Sequence, residues 1–197
     1  MKIILASKSP RRQELLKLIT SDFEIKTKDV DERAIEDSVV NNGGSAKDVQ
    51  LELAKAKAQA VWDDLTSNEQ AEYAVIGSDT SVVSGDEILG KPCDKEDARR
   101  MLTSLCGREH EVISSVCVIT KSKTCAWTEV TKVRFGDLDE YQKALIERYI
   151  NTDEPYDKAG AYGIQEGGAL LVENVSGDYF NVVGLPVRSL ARVLSDL

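Results

Sequence analysis

Histidine is almost absent from this 197-residue chain, and the single one, His110, narrows the chemistry available. A multi-histidine zinc site is excluded. With no Gly-x-Ser-x-Gly elbow either, a serine triad has little to be built from. His110 itself sits in Arg-Glu-His-Glu-Val, which reads as a strand. No stretch approaches the roughly 20 apolar residues that span a bilayer. The opening apolar run is too short for a signal-peptide core, and its arginines follow the run instead of preceding it. A cytoplasmic protein is therefore expected. Four cysteines, Cys93, Cys106, Cys117 and Cys125, form no Cys-x-x-Cys pair, and in a reducing compartment they read as small buried residues. A basic excess is missing too: the net charge of −9 argues against broad nucleic-acid binding, which needs a basic stripe. A small anionic ligand remains open to an acidic chain wherever a few cations and backbone N–H groups converge. Repeats, low-complexity tracts and Pro/Ser-rich linkers are lacking, so 1–197 is expected to form one domain.

What is present is a mixture of strand and helix patterns without strict alternation. That predicts an α/β fold with a mixed sheet in place of a doubly wound parallel one. Strands are expected at Lys2–Ala6, Phe23–Thr27 and Tyr73–Gly77, and at Glu109–Thr120 and Thr124–Phe135. Thr80–Val83 and Glu87–Leu89 read as a hairpin turning at Ser84-Gly85-Asp86. Helices are expected over Pro10–Ile19, Ser45–Asp63 (opened by a capping-box-like Ser45-x-x-Asp48), Asp94–Leu105 and Asp139–Tyr149, with a last one from Pro186.

Several residues break local rules. Ser9 suits the N-cap of the first helix and Pro10 its first position, yet Arg11 and Arg12 follow where the helix dipole disfavours cations. An anion held at that loop would explain them, and the plain alternative is a solvated arginine pair. Lys57 falls on the stripe of Val49, Leu53 and Val61. It either snorkels from the core edge or points into a cleft. Asp79 in Gly77-Ser78-Asp79-Thr80 stands where a strand is expected to end. There it can hold a metal or take a proton from water, or be an ordinary turn aspartate. Gly85–Lys91 imitates a P-loop, but Pro92 supplies neither hydroxyl nor N–H, so the motif is rejected and Lys91 stays only as a cation. Any metal is expected to be Mg²⁺ or Mn²⁺ on carboxylates and substrate phosphates.

Eight segments in one order resemble the Maf family of nucleotide pyrophosphatases, related in structure to the inosine triphosphatase group. They are Ser7–Arg12, Asp31-Glu32, Leu53–Ala58, Gly77–Thr80, Leu89–Pro92, Gly107–Val112, Glu154–Gln165 and Gly177–Val187. The resemblance implies a mixed curved sheet flanked by helices, with two lobes around a deep nucleotide-binding cleft, assembled as a homodimer. It implies hydrolysis of a nucleoside triphosphate between the α and β phosphates with a divalent cation. By the same resemblance Asp79 is the catalytic proton acceptor, Ser7, Arg12, Lys57 and Lys91 bind phosphate, and Glu32 joins Asp79 at the metal or positions water. Arg11, Thr80 and Gln165 match the subgroup acting on dTTP and UTP, where the other subgroup, acting on 7-methyl-GTP, has Trp, Gln and Glu. A glutamine amide suits the uracil or thymine edge because it both donates and accepts. Ser78 and Cys106 depart from the family's usual alanine and serine. Modified pyrimidine nucleotides are a rival substrate class. The family's link to septum formation leaves a nucleotide-sensing regulator without turnover as the alternative outside the enzymes.

Overall fold

The computed structural model describes residues 1–85 and 87–197. Its strands are β1 (Lys2–Leu5), β2 (Glu24–Ile25), β3 (Tyr73–Ser84), β4 (Glu87–Leu89), β5 (Glu109–Ile119), β6 (Thr124–Phe135) and β7 (Val172–Ser176). They are ordered β2-β1-β3-β5-β6-β7, with β4 attached to β3. β1 runs parallel to β2 and β3, whereas β4 pairs antiparallel with β3 and β7 with β6. The mixed sheet expected from the unstrict alternation is therefore present. Its helices are α1 (Pro10–Leu16), α2 (Glu32–Asn41), α3 (Ala46–Trp62), α4 (Ser67–Glu72), α5 (Lys95–Leu105), α6 (Glu140–Tyr149), α7 (Tyr179–Val183) and α8 (Val187–Ser195). Among the described residues no helix is long and apolar enough to cross a membrane.

Two compact units share the chain in alternation. The first takes Met1–Thr80, Ser114–Glu129 and Gly184–Leu197; the second takes Ser81–Ile113 and Val130–Val183. In the first, Ile4, Val75, Cys117 and Ile119 from the strands pack with Ala54, Ala58 and Val61 of α3. The start of α3 is fixed by a full capping box, in which Ser45 Oγ accepts from the Asp48 N–H and the Asp48 carboxylate accepts from the Ser45 N–H. Gly77 sets how close α3 lies to β3. A Cβ added there would stand 2.3 Å from the Ala54 carbonyl oxygen and 2.6 Å from the Ala58 nitrogen. The second unit is built around Leu102, Leu105, Phe135, Ile146, Tyr162 and Leu171. Asp94 and Asp139 cap α5 and α6 as their positions predict, each accepting a backbone N–H three residues on.

The largest departure from expectation concerns Gly77–Thr80. These residues do not follow a strand; they lie inside β3, which runs unbroken for 12 residues. Gly77 is here a packing residue, needed because a helix backbone crosses it. The hairpin forms, with Val82 paired to Leu89 and Val83 to Ile88, but Ser84, expected in the turn, ends β3 paired to Glu87; Asp86 lies outside the described residues. α1 stops at Leu16 and β2 shrinks to two residues. α2 was not anticipated: none of its residues is fully buried and its apolar side is only the half-buried Ile35 and Val39; the short α4 and α7 were missed as well. The buried reading holds for Cys106 and Cys117, whereas Cys93 is exposed and Cys125 partly so.

Candidate active site

Arg12 is held by three separate stretches of the first unit. Its Nε donates to the Gly184 carbonyl oxygen at 3.0 Å, Nη1 to Ser7 Oγ at 3.3 Å and Nη2 to Thr80 Oγ1 at 3.0 Å. The loop after β1, the middle of β3 and the turn before α8 thus converge on one guanidinium. Three of its five N–H donors are used, which leaves one on each Nη to meet an anion. Burial pulls the Arg12 pKa below its ordinary value, opposed by the neighbouring Asp79 carboxylate, and the group stays cationic. Ser9 sits at the N-cap with Pro10 after it, as expected, but its side chain makes no capping bond. Because α1 has only seven residues, the case for an anion rests on this fixed cation and little on the helix dipole.

Beside it lies a second cluster. Lys57 Nζ contacts Asp79 Oδ1 at 2.5 Å and Glu32 Oε1 at 2.7 Å. The Lys57 and Asp79 side chains are only 18% and 15% exposed, so the charges meet in a poorly hydrated place where removing either leaves the other costly. Lys57 owes this position to α3. Val49, Leu53 and Val61 on the same stripe are buried, and the stripe carries the lysine inward to β3. The lysine is thus drawn inward onto two carboxylates instead of extending into water. Glu32 enters from the first turn of α2, whose N-cap Asp31 accepts from the Ala34 N–H at 3.0 Å.

The structure therefore gathers Ser7, Arg12 and Thr80 in one hydrogen-bonded group and Glu32, Lys57 and Asp79 in another, all in the first unit. Arg11 stands half-buried in the first turn of α1, close enough to Arg12 to lower its pKa. Lys91 and Gln165 belong to the second unit, and both are exposed. Lys91 follows Gly90, whose carbonyl accepts from the Gly160 N–H at 3.0 Å.

The Maf-like protein family matches residues 2–197. The chain belongs to the Maf family. It is 46% identical to the dTTP/UTP pyrophosphatase of Thermosipho africanus, over 100% of this chain and 93% of that protein. Proteins of the same name from Acetivibrio thermocellus and Bacillus cereus are 46% and 42% identical, covering 100% and 98% of this chain and 95% and 94% of theirs. The solved structure of the Staphylococcus aureus Ham1 protein superposes with a TM-score of 0.55 at 15% identity, covering 100% of this chain and 99% of that one. At that identity the likeness speaks for a shared fold.

In this Maf chain three participants escaped sequence reasoning. Gly184 offers only a backbone carbonyl to Arg12, which no side-chain pattern signals. Ser114 Oγ lies 2.8 Å from Thr80 Oγ1, so the Thr80 hydroxyl is engaged with Ser114 and Arg12 at once. Glu36 stands one turn beyond Glu32 on α2. Its carboxyl is pushed above the ordinary glutamate value, first by desolvation and then by the charges of Glu32 and Asp79. The i, i+4 spacing of Glu32 and Glu36 was the available signal, legible only once α2 is known to be helical. His110 plays no part in these groups. It is a buried core residue of the second unit, with Nε2 2.8 Å from the Tyr162 hydroxyl and its ring edge-on to Phe135. Burial lowers its pKa to about 4.

Proposed function

We propose that this chain is a nucleoside triphosphate pyrophosphatase that hydrolyses dTTP and UTP to the nucleoside monophosphate and pyrophosphate. The Lys57–Asp79 pair carries the reading, set beside an arginine whose guanidinium is fixed by three partners and keeps two further N–H donors. Relatives named dTTP/UTP pyrophosphatase at 42–46% identity over nearly the whole chain supply the substrate class.

In this reading Asp79 is the proton acceptor. A water oxygen bonds to phosphorus, the α–β anhydride bond breaks with its electron pair going to the departing phosphate oxygen, and the water proton passes to the Asp79 carboxylate. Arg12, Lys57 and Lys91, with the Ser7 hydroxyl, offset the negative charge of the triphosphate, which otherwise repels the nucleophile. Arg11, Thr80 and Gln165 set base preference. Gln165 meets the uracil or thymine edge through its amide, and the Thr80 hydroxyl is held in place between Arg12 and Ser114.

A divalent cation fits the donor set. Glu32 and Asp79 present hard carboxylate oxygens to one shared ammonium, and these are the groups Mg²⁺ or Mn²⁺ takes together with phosphate oxygens and water. Among the described residues no three His, Cys, Asp or Glu side chains converge on one point, so substrate phosphates complete the shell in this reading. The ion supplies charge neutralisation at the phosphates. With the function go one functional domain over 1–197, a homodimer, a cytoplasmic setting and a nucleotide, not a nucleic acid, as partner. The net charge of −9 and four free cysteines support the last two.

The test incubates the protein and its Asp79→Asn variant with Mg²⁺ or Mn²⁺ and a panel of nucleoside triphosphates. Expected is pyrophosphate release, fastest from dTTP and UTP, with kcat in the variant down by about 10²–10⁴-fold. Orthophosphate in place of pyrophosphate, or full activity in Asp79→Asn, would refute the assignment. Tight binding of every nucleotide without turnover would favour the regulatory alternative.

A further inference from the structure

Lys158 is unusual for a lysine in being only 6% exposed. Its ammonium has three N–H donors and three oxygen partners. They are the Glu154 carbonyl at 2.5 Å, Asp157 Oδ1 at 2.8 Å and Glu166 Oε2 at 2.8 Å. No donor is left for a phosphate. The aliphatic stem lies flat against the backbone at Gly163, where an added Cβ would stand 2.6 Å from Lys158 Cε and 2.9 Å from Cδ. This cation thus forms the floor of the turn over residues 163–166, closed by the Glu166 N–H on the Gly163 carbonyl at 3.4 Å.

Both ends of that turn are tied down further. The Gly163 N–H donates to the Tyr149 hydroxyl at 3.1 Å, and the Gly167 N–H to Glu154 Oε2 at 2.9 Å. Just upstream the Ala161 N–H donates to the Lys158 carbonyl, and Ala161 holds a positive φ of 61°. A non-glycine residue stays in that conformation only where its surroundings over-determine it. All these residues belong to the second unit, and Gln165 is an exposed residue inside the turn they hold. A buried lysine with two carboxylates is a poor source of stability, while the three bonds on Lys158 Nζ tie residues 154, 157 and 166 to one atom.

We propose that Lys158 is a positioning residue for substrate selection: it holds the turn over 163–166 so that the Gln165 amide meets the base, without itself touching the substrate. The proposal rests on the reading of Gln165 as the residue that contacts the pyrimidine. Lys158→Met keeps the stem and removes the ammonium. In the full chain, with UTP and CTP as substrates, it raises KM for UTP about tenfold and lowers the UTP-over-CTP preference about tenfold, the worth of a lost hydrogen bond or two. At saturating UTP kcat stays within about twofold, since the reacting groups are untouched. Amide exchange at Gly163, Glu166 and Gly167 speeds up. A folded variant with unchanged KM and preference overturns the proposal, and so does a fall in kcat with KM unchanged. Should Lys158→Met fail to fold, Glu166→Gln, which weakens one ion pair at a half-exposed side chain, is judged on the same readouts. Unaltered protein without a UTP preference would sink the Gln165 reading and this proposal with it. A selective parent whose variant stays equally selective sinks the proposal alone.

Discussion

Replacing Gly77 with alanine should damage both stability and catalysis, through contacts with backbone that cannot step aside. The new Cβ would stand 2.3 Å from the Ala54 carbonyl oxygen, 2.6 Å from the Ala58 nitrogen and 2.9 Å from the Ala58 Cβ. Ordinary contact begins near 3.4 Å, so α3 must retreat from β3 by about 1 Å. Overpacking a core commonly costs about 1–3 kcal/mol, and backbone neighbours place this site at the upper end. For a chain of this length about 3 kcal/mol corresponds to a Tm lower by roughly 6–12 °C. The same retreat carries Lys57, the residue before Ala58, off the Asp79 carboxylate it touches at 2.5 Å. Misplacement of about 1 Å at a catalytic site can cost roughly 10²-fold in rate. Thermal unfolding followed by circular dichroism, alongside pyrophosphate release from UTP, reads both effects. A Gly77→Ala protein melting within about 1 °C of its parent and fully active would show that β3 and α3 are not packed as described.

Two further predictions concern Arg12 and His110. Arg12→Lys keeps the charge but cannot reach Gly184, Ser7 and Thr80 together, so kcat/KM for UTP should fall about 10–100-fold while KM for added Mg²⁺ stays level; unchanged kcat/KM would show that the three-way anchoring is irrelevant. For His110 the folded pKa of about 4 lies below the unfolded value of 6.5. Between those pH values the unfolded chain binds the extra proton and the folded one does not. Stability therefore falls as pH drops from about 6.5 to 4, by about 3 kcal/mol in all, and is unaffected by this group above pH 7. Urea unfolding at several pH values should show that slope in the parent and its loss in His110→Phe; equal slopes would place the imidazole in water.

Much of the chain was legible from residue pattern alone because the deciding physics is local. Ser45 and Asp48 close a capping box within one turn, and Asp94 and Asp139 satisfy N–H groups three residues away, so these helix starts needed no partner. The stripe of Val49, Leu53 and Val61 set which face of α3 turns inward, but left Lys57 either snorkelling from the core edge or pointing into a cleft. Tertiary structure decided what meets it. Asp79 and Glu32 come from 22 residues later and 25 residues earlier, and nothing along the chain says that they meet at one ammonium. The packing role of Gly77 was hidden for the same reason, since it lies in a helix backbone crossing β3 and a sequence shows only its own neighbours. α2 stayed hidden because its apolar side is reduced to the half-buried Ile35 and Val39, too short a stripe to read, and with it Glu36. The Gly184 carbonyl on Arg12 was beyond any reading of side chains: residue type fixes which chemical groups a chain owns, but which of them share a point in space is set by the packing of segments far apart in sequence.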